Sequence, residues 1–396
     1  MLYIDEILST PEVPLISCVN AEAVRVGDSH RVDFLSEVSR TILKSKEAKN
    51  YPDLITFAYY CRERSVKSKL DAYPFLHNKL GWGTVVHIAP ANVPINFAFS
   101  FIFGFLSGNS NIVRLPSKKW PQVELLLNAF TDVVKRPEFE MLSKAFRFVR
   151  TDHDSLWLFD AIQKCDGLIV WGGDSTVAKF KALVKKPRCI EMYFPNRISS
   201  LFLDAKAILN ADSTVLSRYV ESFYNDTYVV DQNACSSPTK VIWIGQADQI
   251  KIARRLFWAS VANKLEKKGY ALDPVARIDR YLDVMENIEK QNQVIAVSQW
   301  ATDLWTDQGN IHSINYRFGN FHEFVASNIV KAVGYLNNDE QTLTYIGLSA
   351  DFIYDAFEGS GKTVDRIVPV GRALEMQFSW DGVNLLERFS RSVELV

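Results

Sequence analysis

Thr84-Val85-Val86-His87-Ile88-Ala89-Pro90 is the stretch that decides the fold. It is short, apolar and β-branched, and a proline closes it, so it reads as a buried strand. Val93 to Leu106 behind it reads as a helix that stops at Gly108-Asn109. The alternation then repeats. Asn111-Ile112-Val113-Arg114-Leu115 is a strand closed by Pro116, and Pro121 to Val134 is a helix with proline in its first turn. Ala145 to Val149, Asp154 to Gln163, Gly167 to Trp171, Ser175 to Val184 and Cys189 to Phe194 continue as strand, helix, strand, helix, strand. Such spacing predicts βαβ units and a doubly wound, mostly parallel sheet, with ligands at the carboxyl ends of its strands.

Upstream, Phe34 to Ala48 and Asp53 to Lys69 have helical spacing. Beyond about residue 200 the strict alternation weakens, which places a domain boundary there. Ile198 to Leu203 and Thr239 to Ile244 read as strands, and Val294 to Trp305, Ile311 to Phe318 and Gln341 to Leu348 are β-like. Ser213 to Tyr224, Ile250 to Lys268 and Pro274 to Gln291 read as helices, so this half predicts a second, smaller α/β lobe. No internal repeat or low-complexity linker separates the two.

Composition narrows the function. Of 396 residues, 47% are hydrophobic and 23% charged, which is globular rather than disordered. Lys+Arg number 45 against 46 Asp+Glu, so the basic excess of a nucleic-acid binder is missing. The most apolar run, Ile95 to Leu106, is too short to span a bilayer and is interrupted by Asn96, Ser100 and Gly104. It predicts a helix buried in a large core. The start of the chain lacks a basic, then apolar, leader pattern. The 5 cysteines include no C-x-x-C pair, which argues against a disulfide framework or structural zinc and for a reducing, cytoplasmic setting. The 6 histidines show no metal-binding spacing, so no metal is expected.

Gln232-Asn233-Ala234-Cys235-Ser236-Ser237-Pro238 stands out. A cysteine among small and polar residues just before a strand sits in a loop. Most lone cysteines are inert small hydrophobes, whereas an exposed thiolate attacks acyl carbon and leaves readily. An acylated thiol needs an oxyanion hole, for which the Cys235 N–H and a side-chain amide are candidates. Asn92, in the turn Ala89-Pro90-Ala91-Asn92-Val93-Pro94, offers that amide and is equally a favoured helix cap. Trp171-Gly172-Gly173-Asp174-Ser175-Thr176 joins strand to helix, as in an ordinary capped turn or one that admits a pyrophosphate. Glu191 is a candidate base and also a plausible surface carboxylate. Ala356-Phe357-Glu358-Gly359-Ser360-Gly361-Lys362-Thr363 nearly matches a P-loop, with Ala in place of the first Gly, but no apolar strand precedes it and a strand, not a helix, follows. A flexible loop is the simpler reading.

In this order, these segments resemble the aldehyde dehydrogenase superfamily and, within it, the acyl-CoA reductase family of bacterial luminescence systems, the LuxC type. The resemblance rests on the Asn92 turn, Gly108-Asn109 with Arg114-Leu115-Pro116-Ser117, and Trp171 to Asp174. It rests most on the Cys235 motif, Val364-Asp365-Arg366-Ile367-Val368-Pro369-Val370-Gly371, and Trp380-Asp381-Gly382. It covers roughly residues 80–396. It implies an aldehyde-dehydrogenase-like α/β fold: a dinucleotide-binding domain over 1–200, a catalytic domain over 201–360, and a segment over 361–396 that returns to the first.

The implied activity is reduction of a fatty-acyl thioester to an aldehyde. Cys235 takes the acyl group from CoA or another carrier, and Asn92 helps hold the oxyanion. Pro90, Arg114, Pro116, Ser117, Gly172, Gly173 and Asp174 line the dinucleotide site. Oxidising relatives often carry Glu after Pro-Ser. Lys118 stands there here, followed by Lys119, and cations suit a 2′-phosphate, so NADPH is favoured over NADH. Glu191 lies in the strand that carries the relatives' base, but Met192 to Arg197 replaces the rest of that motif. The resemblance further implies a homo-oligomer and an acyl-activating synthetase as partner.

Overall fold

The computed structural model describes residues 3–5, 15–19, 23–90, 93–285, 293–298, 301–305 and 317–394. The chain divides into two compact units, Met1–Asn196 with Met376–Val396, and Arg197–Glu375.

The first unit holds a six-stranded sheet: β1 (Tyr3–Asp5), β2 (Thr84–Ile88), β3 (Ser110–Arg114), β4 (Phe146–Arg150), β5 (Gly167–Trp171) and β6 (Ile190–Phe194). Its order is β1-β4-β3-β2-β5-β6, with every neighbouring pair parallel. Side chains alternate across it. Val85, Val113, Phe146, Phe148 and Ile169 face one core, with Phe34 of helix Ser29–Lys44, Phe101 and Phe105 of helix Asn96–Leu106, and Phe130 of helix Pro121–Val134. Val86, Ile88, Ile112, Val149, Leu168 and Val170 face the other, against Leu158 and Phe180. Helix Asn96–Leu106 is apolar almost all round and buried, as its sequence predicts. Phe101 stacks 4.8 Å from Phe105 and lies 5.1 Å from Phe146. Edge and offset contacts of this kind add about 0.5–1.5 kcal/mol per pair to area burial.

The expected helix Asp53 to Lys69 is two helices, Pro52–Tyr60 and Glu63–Asp71. Cys61 and Arg62 separate them, with Arg62 extended at φ −59°, ψ 137°, and no glycine or proline marks the break.

The second unit holds β7 (Ile198–Asp204), β8 (Lys240–Ile244), β9 (Gln293–Ser298), β10 (Ala301–Trp305), β11 (Asn320–Ala326), β12 (Glu340–Ile346) and β13 (Arg366–Pro369). The order is β9-β10-β11-β8-β7-β12-β13, and only β9 and β10 run antiparallel. Helices Ser213–Thr227 and Ala247–Lys268 cover one face through Phe223, Phe257 and Trp258. The single β-like run at 294–305 is thus two strands. The expected β segment at 311–318 falls mostly outside the described residues, as does residue 286 onward of the expected helix at 274–291. Because β13 pairs with β12, residues 361–375 stay with the second unit, and the return to the first begins at Met376. That return is fixed by Ser390–Ser392 pairing antiparallel with Lys79–Gly81, and by the Asn109 amide donating to the Phe389 carbonyl at 2.7 Å. Gly361, Lys362 and Thr363 form a loop before β13, not a P-loop. Among the described residues, no helix is long and apolar enough to cross a membrane.

Candidate active site

In the first sheet the chain winds outward from β2 through β3 to β4, then crosses back to β5 on the other side of β2. The winding reverses between β2 and β5, and a doubly wound sheet opens its binding crevice at the carboxyl ends beside such a reversal. Ile88 stands opposite Val170 in register. Ala89-Pro90 leaves one strand there and Gly172-Gly173 leaves the other. Asn92 lies outside the described residues. Gly172 is packed, since a Cβ there would lie 3.0 Å from the Thr176 side chain. Gly173 has open space within 3.7 Å and an ordinary φ of −64°, so nothing among the described residues requires glycine at that position. Asp174 opens helix Asp174–Lys181, and its carboxylate accepts the Asn196 N–H at 3.1 Å.

A buried polar chain ties the two strand ends together. The Trp171 indole N–H donates to Ser100 Oγ at 2.8 Å, and Ser100 Oγ lies 2.9 Å from His87 Nδ1. His87 Nε2 lies 3.0 Å from Asn111 Oδ1, and Asn111 Nδ2 donates to the Asn109 carbonyl at 2.8 Å. With Asn111 Oδ1 as acceptor, His87 carries its proton on Nε2 and its Nδ1 accepts a hydrogen bond from the Ser100 hydroxyl. Burial pushes His87 down to about 4, so it is neutral at pH 7. Gly104 is required here, because a Cβ would lie 2.1 Å from Asn111 Oδ1. Trp171 also stacks on Phe194 at 3.7 Å between centroids. The only sequence signal for this chain is a histidine within an apolar strand.

Arg114 ends β3, next to β2. It is buried, donates from Nε to the Thr151 carbonyl and from its guanidinium to Ser117 Oγ, both at 2.9 Å. Burial lowers it to about 10, which leaves it charged at pH 7. Arg114 therefore braces the Pro116-Ser117 loop from within. Ser117 and Lys118 are exposed, and Lys118 Nζ sits 3.8 Å from the Trp120 ring centroid. Glu191 is the second residue of β6, opposite Leu168, towards the amino ends of the strands and away from the crevice. It accepts from the Tyr193 hydroxyl and pairs with Lys185 at 3.0 Å.

In the second unit, Cys235 is exposed in the loop before β8, as the sequence predicts. Asp231 and Gln232 at its entrance are left-handed, at φ 49° and 59°. Two consecutive non-glycine residues in that region cost energy and persist only where their surroundings hold them. Gln232 is buried; its amide donates to the Pro238 and Asn320 carbonyls, both at 3.0 Å, and its Oε1 accepts the Gly319 N–H at 2.9 Å. The Tyr270 hydroxyl donates to Asp231 at 2.7 Å. Ser199 Oγ donates to the Cys235 carbonyl at 2.7 Å. Ser237 Oγ donates to the Asp226 carbonyl at 2.7 Å. The Asp226 carboxyl in turn accepts the N–H groups of Gly371 at 2.6 Å and Ala373 at 2.9 Å, joining the loop to the end of the 364–371 motif. Burial pushes Asp226 up to about 7, against those bonds. Sequence reading names Cys235 but misses Gln232, Asp226 and Ser199, whose roles depend on contacts distant along the chain.

The sequence profile of the acyl-CoA reductase (LuxC) family matches residues 69–392. The chain belongs to that family. No curated protein matches it. Among solved structures, a 1-pyrroline-5-carboxylate dehydrogenase variant from Thermus thermophilus is 11% identical, with a TM-score of 0.67 over 91% of this chain and 80% of its own. Aldehyde dehydrogenase C from Pseudomonas syringae, solved with NAD+ and octanal, is 13% identical, with a TM-score of 0.63 over 92% and 84%. Propionaldehyde dehydrogenase from Rhodopseudomonas palustris, solved with propionyl-CoA, is 12% identical, with a TM-score of 0.58 over 92% and 88%. The LuxC family member thus has the aldehyde dehydrogenase fold, and its activity is that of an oxidoreductase acting on acyl or aldehyde groups. Among its described residues, no three metal-ligating side chains gather.

Proposed function

We propose that this protein reduces an acyl thioester to an aldehyde through an acyl group held on Cys235. The carrying observation is the exposed thiol on a loop entered through two left-handed, hydrogen-bonded residues, Asp231 and Gln232, in a chain of this family. The Cys235 thiolate attacks the acyl carbonyl, the carbon–sulfur bond to the carrier breaks, and the carrier leaves as a thiolate. The Cys235 N–H and the Asn92 amide hold the developing oxyanion. Reduced nicotinamide, when bound, would supply a hydride to the acyl carbon on Cys235, and the resulting thiohemiacetal would collapse to free the aldehyde and return the Cys235 thiol. No water is activated, so Glu191 has no task in this direction. Support for an acyl-CoA substrate comes from the fold relative solved with propionyl-CoA.

The first unit's residues fit a dinucleotide. Gly173 leaves its backbone open at the reversal point, and Arg114 holds Pro116-Ser117 at the end of the neighbouring strand. Pro90, Gly172 and Asp174 complete the same strand ends. Lys118 beside that loop favours NADPH, because its ammonium complements a 2′-phosphate. An acyl-activating synthetase would supply the substrate in the cytoplasm, and the enzyme would act as a homo-oligomer.

Intact-protein mass after incubation with a panel of acyl-CoAs, for wild type and Cys235→Ala, tests the reading. The expected result is an acyl adduct on wild type alone, discharged by NADPH with aldehyde released. An adduct that NADPH leaves untouched would replace the reductase with an acyltransferase, and oxidation of aldehyde to acid as the sole activity would reverse the direction.

A further inference from the structure

Cys165 follows helix Leu156–Lys164 and precedes β5, whereas Cys189 precedes β6. β5 and β6 are neighbours, with Gly167 opposite Ile190. The sheet therefore brings together two thiols that are far apart in sequence, and their sulfurs lie 3.8 Å apart. Their environments differ. Cys165 is fully buried and donates to the Ile162 carbonyl at 3.1 Å, whereas Cys189 is partly exposed at the end of a surface turn.

We propose that Cys165 and Cys189 form a two-thiol modification site that peroxides oxidise to a disulfide. Cys189 is the thiol that meets solvent, and Cys165 is the resolving partner behind it. In the first step the Cys189 thiolate attacks the peroxide, a sulfur–oxygen bond forms, the oxygen–oxygen bond breaks, and water or an alcohol leaves. In the second, the Cys165 sulfur attacks the sulfenic sulfur, the sulfur–sulfur bond forms, the sulfur–oxygen bond breaks, and the departing hydroxyl takes the Cys165 thiol proton and leaves as water. Two thiols are oxidised and one peroxide is reduced. The sulfurs must close from 3.8 Å to the roughly 2.05 Å of a disulfide.

The charges around the pair suit this division. Contact with Cys165 holds the Cys189 thiol below its ordinary value, and Lys185 acts in the same direction; burial, Glu191 and Asp166 oppose. Lys186 offsets Asp166 by pairing with it at 2.8 Å. Contact with Cys189 and burial push Cys165 well up, which keeps it a thiol until the sulfenic acid forms. Cys61, wholly buried and pushed up by burial, has no comparable access.

The site does not depend on the acyl-reductase reading, so its test uses the Cys235→Ala chain, which removes the exposed thiol. That protein is treated with hydrogen peroxide, alkylated and digested. The expected product is a Cys165 peptide joined to a Cys189 peptide, restored to two free thiols by dithiothreitol. Adding Cys165→Ala should instead leave a sulfenic acid on Cys189 that dimedone traps, and Cys189→Ala should leave Cys165 unmodified. Phenylarsine oxide, which bridges paired thiols, should bind the chain with both cysteines and neither single variant. Linked peptides containing Cys18 or Cys61 instead, or oxidation of Cys165 without Cys189, would overturn the proposal.

Discussion

The two candidate regions are braced in opposite ways. At the strand ends of the first unit, side chains bond one another in a line, from Trp171 through Ser100 and His87 to Asn111. Around Cys235, all the braces but the Tyr270–Asp231 bond run from side chain to backbone. Gln232 holds three backbone groups, Asp226 holds two, and Ser199 and Ser237 hold one carbonyl each. The first arrangement sets the spacing of strands that the sheet already fixes. The second imposes a conformation the loop would not otherwise adopt, since Asp231 and Gln232 are left-handed. Removing a bracing group should therefore disturb the loop much more than the strand ends.

Gln232→Leu gives the largest effect. It removes three buried hydrogen bonds to backbone groups, and at about 1 kcal/mol or more for each the loss is about 3 kcal/mol or more. Denaturant midpoints check the stability, and the rate of Cys235 alkylation checks the loop. A variant with the wild-type midpoint and alkylation rate would show that the left-handed entrance holds itself.

Asp226 comes next, through pH. Its folded value of about 7 lies above the ordinary 3.8, so the native state keeps a proton that the unfolded chain releases. Its contribution is fully present below pH 3.8 and is lost as pH rises through about 7. By linkage that loss is at most roughly 4 kcal/mol. Burial sets that shift, and the Gly371 and Ala373 N–H groups and Arg366, which favour the carboxylate, already hold it down to about 7. Asp226→Asn should lack this fall between pH 4 and 7. The buried histidines His87, at about 4, and His322, at about 3, slope the other way, losing stability as pH drops below 6.5. The comparison is therefore wild type minus variant at each pH. Parallel pH curves would show that Asp226 stays ionised.

What the sequence reveals follows the same division. Strands β2 to β5 announce themselves because buried parallel strands are largely apolar runs between helices. The edge of the second sheet does not, because its β-rich run contains no glycine, proline or asparagine to mark where β9 ends and β10 begins. Cys235 is legible from its small, polar neighbours, but Gln232 is not, since its partners Gly319 and Asn320 lie far along the chain. The Cys165–Cys189 pair is hidden for the same reason: only strand adjacency brings the two thiols together.

Ser100→Ala tests the weaker, side-chain brace. It leaves the Trp171 N–H and His87 Nδ1 without their shared partner, a loss of about 1–2 kcal/mol. Because the strands stay paired, the change expected under the proposed function is a raised KM for the reduced dinucleotide, with acyl transfer to Cys235 unchanged in its absence. An equal loss in both would mean that the brace supports the whole chain rather than the crevice.

Glu191→Gln should do least. Its partners Lys185 and Tyr193 form a partly exposed cluster at the amino ends of the strands, and such ion pairs contribute about 0–1 kcal/mol. If the acyl group on Cys235 leaves by reduction, no base is needed to activate water, and aldehyde formation from acyl-CoA should match wild type. Acid formation from aldehyde is the discriminating assay. A wild type that makes acid and a Glu191→Gln protein that does not would mean that this carboxylate serves hydrolysis, and that the oxidative direction is the working one.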